Sequence, residues 1–267
     1  MQEDQIATTS VGDVVRRLAT LAHFTVLQAW YGRLFHIAAM VLLAVLGIGE
    51  AFAAMQVIEG DIAAAAILVT LIRLSVASLL LLHMAFGAAN DGVDEMVASL
   101  DLSPVILLIG QWLGYSAVGA AAALGGGAVL ALYGGPGPAA VWSVSFGAEL
   151  GVLAAMVLFV RSGLRRPLAV VLVGGAFYVL GRLLPLLLEI AAAGVAEQTP
   201  LREFAAFILR VSAVAMPRFD GLAEPGWITT GALPEPTSYF AAIGGALSYA
   251  GFALCLAFLE RVLAKRR

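Results

Sequence analysis

The chain has 267 residues, 61% of them hydrophobic and 12% charged, with a net charge of −3 and a mean hydropathy of +0.97. A soluble domain is about 45–50% apolar and about 25% charged, so this is the composition of an integral membrane protein. Nothing in the charge pattern points to nucleic acid. Lys265 is the only lysine, which excludes a Walker phosphate loop and a Schiff-base enzyme within this chain.

Taken in order, the chain opens on Met1-Gln2-Glu3-Asp4-Gln5, an acidic start unlike a cleaved signal. Residues 12–35 read as an amphipathic helix. Asp13, Arg16, Arg17, Thr20 and His23 share one face and Val14, Val15, Leu18, Ala22, Val26 and Trp30 the other, a pattern suited to lying in the membrane interface. The first span is expected over 36–57 and includes Glu50; Glu59-Gly60-Asp61 turns into the second, 62–89, whose only charged side chain is Arg73. Residues 90–104 then carry Asp91, Asp94, Glu95 and Asp101 with no basic residue. Between two apolar runs, such carboxylates have to reach water. The segment reads as a short helix capped by Asn90 or Asp91, either a solvated turn or a docking handle for a soluble partner.

Pro104 starts a third span to about Tyr133, rich in small residues, including Gly110-x-x-x-Gly114, that allow close helix approach. After the Gly-Gly-Pro-Gly-Pro turn at 134–138, the fourth span covers about 139–160 and the fifth 167–193, with Arg161, Arg165 and Arg166 between them. The section 194–237 is more hydrophilic. Residues 200–216 have helical periodicity, setting Leu201, Phe204, Ala205, Ile208 and Val211 against Arg202, Glu203 and Arg210, while 217–236 is irregular. The sixth span is about 238–259. It holds the lone Cys255, read as a packing residue.

The spans therefore make an all-α membrane protein of six transmembrane helices and a single domain. With the N-terminus inside, ten of the fifteen basic residues fall on the inner side: Arg16, Arg17, Arg33, Arg161, Arg165, Arg166, Arg261, Lys265, Arg266 and Arg267. That bias makes both termini and 90–104 cytoplasmic and 194–237 an outer loop.

Glu50, Arg73, Glu149 and Arg182 lie within spans, roughly 10–20 Å from their outer ends at the helical rise. Such groups are expected to face protein or water. Two positive and two negative charges at similar depth form either a packing ion-pair cluster or the polar lining of a path, and Glu149 is the expected partner of Arg73. Glu189 lies near the outer mouth. His23, His36 and His83 have no metal-ligand spacing. The absence of His-Glu-x-x-His and Gly-x-Ser-x-Gly argues against an intramembrane enzyme. A proton-coupled secondary transporter working through Glu50 or Glu149 is the alternative reading from these residues.

Residues 21–35, Leu-Ala-His-Phe-Thr-Val-Leu-Gln-Ala-Trp-Tyr-Gly-Arg-Leu-Phe, resemble the N-terminal helix of ABC-2 type permeases, with Gln28 and Tyr31 where Glu and Arg are usual. Residues 96–115, with Ser99-Leu100, Leu102 and Gly110-Gln111-Trp112-Leu113-Gly114-Tyr115, resemble that family's coupling helix and the start of its third span. Met216-Pro217-Arg218-Phe219-Asp220 and Trp227 resemble the outer loop of permeases grouped with multicopper-enzyme maturation. The resemblance implies the membrane subunit of an ATP-binding-cassette exporter in the bacterial inner membrane, working as a homodimer among membrane lipids. It implies docking on a separate cytoplasmic ATPase through Asp91, Asp94, Glu95, Ser99 and Asp101, and outer-loop roles for Pro217, Arg218, Asp220 and Trp227. This chain would then bind no cofactor, ATP and Mg residing on the partner, and would carry no catalytic or metal-ligating residue.

Overall fold

The computed structural model describes residues 11–54, 60–87, 103–164, 166–193, 200–217, 219 and 221–264. Among them there are nine helices and no strand: α1 Val11–Tyr31, α2 Leu34–Ala54, α3 Gly60–Phe86, α4 Pro104–Gly134, α5 Pro136–Gly163, α6 Pro167–Ala193, α7 Pro200–Ala215, α8 Pro225–Thr230 and α9 Pro236–Ala264. Six of these, α2, α3, α4, α5, α6 and α9, are long and apolar enough to cross a membrane. The chain is a multi-pass, all-helical membrane protein.

Proline sets most of the helix starts. Every helix from α4 to α9 begins with it, because the first turn has no use for the missing N–H and proline's φ is already helical. Ahead of Pro104 the Ser103 hydroxyl accepts from the Ile106 N–H at 3.3 Å, capping α4. At the other end Gly135, at φ 82, closes α4 by donating to the Ala131 carbonyl, and Pro136 opens α5 at once. That two-helix hairpin needs a residue tolerant of positive φ, and glycine supplies it.

The single helix expected over 12–35 is broken. The Gly32 N–H donates to Gln28 O and Arg33 adopts φ 62, so α1 ends at Tyr31 and α2 starts afresh at Leu34. The face that packs also differs. Leu21, Thr25 and Ala29 are buried, whereas Val15 and Trp30 are exposed. The reason lies in α4: a Cβ at Gly110 would fall 2.7 Å from that of Leu21, and one at Gly114 2.4 Å from that of Thr25. The two glycines form a shallow groove that seats Leu21 and Thr25 of α1.

The most buried of the spanning helices is α5, which packs on α3, α4, α6 and α9. Its Trp142, Phe146, Leu150, Leu153 and Leu158 are fully buried. Contact with α4 is tight enough that a Cβ at Gly127 would sit 1.7 Å from Ser143 Oγ.

Candidate functional site: a buried ion pair beneath an infolded loop

Segment 194–237 is expected to be an outer loop, irregular beyond 217. Within it, the described residues from Pro217 to Ile228 fold against the bundle, whereas α7 presents exposed side chains. Pro217, Phe219, Leu222, Ala223, Trp227 and Ile228 are all buried, and α8 packs against α3, α4 and α5. Ala223 turns the backbone at φ 49. Non-helical backbone is tolerated at such depth only where the protein satisfies its polar groups, and two side chains do so. Trp142 Nε1 donates to the Ala223 carbonyl at 3.1 Å. Arg182 donates from Nη1 to Phe219 O at 2.6 Å and from Nη2 to Leu222 O at 2.9 Å. Phe219 lies against Gly181, where a Cβ would come within 2.8 Å of its ring, and it packs on Phe177 and Tyr178. The Arg182 guanidinium lies 5.9 Å from the Phe219 ring centre.

The same guanidinium pairs with Glu149. Nε donates to Oε1 at 3.0 Å and Nη2 to Oε2. Glu149 is 0% exposed and the Arg182 side chain 17%. A two-pronged Arg–carboxylate pair is strong and directional. Here α5 and α6 pack directly, bringing the two residues face to face. One residue thus ties α5, α6 and the infolded loop together.

Arg73 of α3 is the third charge in this layer. It is 8% exposed and within electrostatic reach of Glu149, Arg182 and Tyr178, yet its Nε and Nη2 have no hydrogen-bond partner among the described residues. The expected Arg73–Glu149 pair is therefore corrected: both carboxylate oxygens go to Arg182, because the loop carbonyls fix its guanidinium in line with them. Glu50 does not join the layer either. It is exposed near the end of α2, where the Tyr133 hydroxyl donates to its Oε1 at 2.6 Å. Its helix packs on α1, α3 and α4.

Of the remaining residues singled out in the sequence, Pro217 and Trp227 are buried in the infolded loop. Asp91, Asp94, Glu95, Ser99, Asp101, Arg218 and Asp220 lie outside the described residues. Along α7, Phe204, Ile208 and Val211 are exposed, as is Arg210. His83 packs edge-on to Tyr115 at 6.2 Å and lines a cleft of about 540 Å³ with Gln28, Gly32 and Phe86. Sequence reasoning missed Trp142, Tyr178, Phe219, Leu222 and Ala223. A tryptophan six residues into a span was the one available sign that an indole N–H needed an acceptor there.

Fold and site together define a multi-pass α-helical membrane protein in which Phe219 and Leu222, between the last two spans, are held against the bundle by the arginine of a buried ion pair. No protein-family model matches the chain, and no curated protein matches it significantly.

Proposed function

We propose that this chain is the permease subunit of an ATP-driven exporter of the ABC-2 type, forming the path for its substrate and taking its energy from a separate cytoplasmic ATPase. The observation that carries this reading is the order of elements: an amphipathic α1 seated on α4, six spanning helices, and a helical excursion, α7 and α8, between the last two spans. The single lysine at 265 supports an ATPase on another chain. In this reading α1 lies at the cytoplasmic interface, the acidic stretch 90–104 is the coupling segment, and α7 lies at the outer face. Both termini are cytoplasmic, and two copies work together in the bacterial inner membrane. Transport is a switch between two arrangements of the helices rather than chemistry on the cargo.

Purification of the tagged chain from its native membrane tests the proposal. A soluble ATP-hydrolysing subunit is expected to copurify, and its hydrolysis to depend on the permease. Transport by the chain alone in ATP-free proteoliposomes, driven by a proton gradient, would overturn the reading in favour of a secondary transporter.

A further inference from the structure

Among the described residues, two guanidinium groups and one carboxylate share a water-poor layer of the bundle. Arg182 uses three of its nitrogens in four hydrogen bonds, whereas two nitrogens of Arg73 are buried with no hydrogen-bond partner among the described residues. An isolated charge is expensive at that depth, so Arg73 competes for the carboxylate of this layer. Glu149 is within its electrostatic reach, and α3 packs on both α5 and α6.

What Arg182 holds makes this competition consequential. Its guanidinium is the donor to Phe219 O and Leu222 O, and it is the more exposed of the two arginines of the layer. Beside the infolded loop a half-open groove of about 450 Å³ runs between Met216, Pro217 and Gly221 and the α9 residues Ala242, Ala246 and Tyr249. Deprived of its counter-charge, Arg182 can hydrate only by moving outward. The loop carbonyls then lose their donors, and the groove offers room for the loop to lift.

We propose that Glu149 is a shared counter-ion that passes between Arg182 and Arg73, holding Phe219 and Leu222 in the bundle in the first position and releasing them in the second. The inference goes beyond the exporter reading, since it concerns the loop alone and stands whatever drives the protein.

The test reads the loop directly. Cys255, the only cysteine, is replaced by serine, Ala223→Cys is introduced, and its reaction with a water-soluble maleimide is timed in purified protein. Arg182→Leu is expected to remain folded, because Arg73 takes Glu149. Its labelling is expected to be at least about tenfold faster, from loss of two charge-assisted hydrogen bonds to the loop. Arg73→Leu removes the competitor and slows labelling below the starting rate. The double variant leaves Glu149 with no cation and loses folded yield. Arg182→Lys keeps the charge but cannot reach all four acceptors, and it too is expected to speed labelling. Wild-type labelling rates in Arg182→Lys or Arg73→Leu would overturn the proposal. So would a double variant as well folded as Arg182→Leu, or collapse of Arg182→Leu alone.

Discussion

At the scale of single residues, the infolded loop depends on a few donors whose loss leaves carbonyls stranded. Trp142 is fully buried and its Nε1 is the donor to Ala223 O. Trp142→Phe keeps an aromatic ring against Phe146, whose centre lies 4.9 Å away, but removes that donor. An unsatisfied buried carbonyl costs about 1–3 kcal/mol. The variant is therefore expected to melt earlier in detergent and to be cleaved faster by protease around residues 217–224. Faster cleavage there, with the spans still intact, is the outcome that ties the indole to the loop rather than to general packing.

At the scale of elements, α1 is the most separable piece. It is fastened to α4 through the Gly110 and Gly114 groove, where even a methyl group at 114 would lie 2.9 Å from the backbone carbonyl of Ala22. No rotamer change relieves a clash with backbone. Gly114→Leu is expected to lift α1 off α4 while leaving the six spans inserted, since the opposite side of α4 packs on α5 through Gly119 and Gly127. Limited proteolysis checks this: cleavage within 11–31 should rise sharply while the remainder of the chain stays protected. A second fastening lies at the elbow, where Gln28 Nε2 donates to the Gly87 carbonyl at 3.0 Å. Displacement should therefore spread to the cleft around His83, which that hydrogen bond borders.

At the scale of the whole molecule, the proposed exporter has to transmit movement from its cytoplasmic side to the infolded loop. The acidic segment 90–104 joins α3, which carries Arg73, to α4, which packs on both α1 and α5. Reversing Asp94 and Glu95 to arginine is expected to leave the protein inserted and folded but to abolish dependence of the ATPase on the permease. An unchanged complex with unchanged hydrolysis would remove this segment from the coupling path. Because the loop's donors, Trp142 and Arg182, are unchanged, loop labelling at position 223 in the isolated permease should stay at its starting rate. Coupling and latch can thereby be separated in one set of preparations.

What the sequence determined by itself was local and solvent-driven. Apolar length placed six spanning helices to within a few residues, since burying about 20 apolar residues in a bilayer is a property of the segment alone. Prolines at 104, 167 and 200 marked helix starts in the sequence, whereas Pro136, Pro225 and Pro236, expected in a turn or an irregular stretch, open helices that only the structure revealed. The sequence also identified Arg73, Glu149 and Arg182 as charges in need of partners. It could not say which pairs form, because depth along separate helices does not specify how they are rotated or which of them touch. Only the packing of α5 on α6, with Phe219 and Leu222 brought in from more than thirty positions away, gave Glu149 to Arg182 and left Arg73 beside them. The same limit hid the infolded loop. Its composition of Pro, Gly and mixed polarity is that of a surface turn, and its burial depends on donors from Trp142 and Arg182, which are local to it only in the folded bundle.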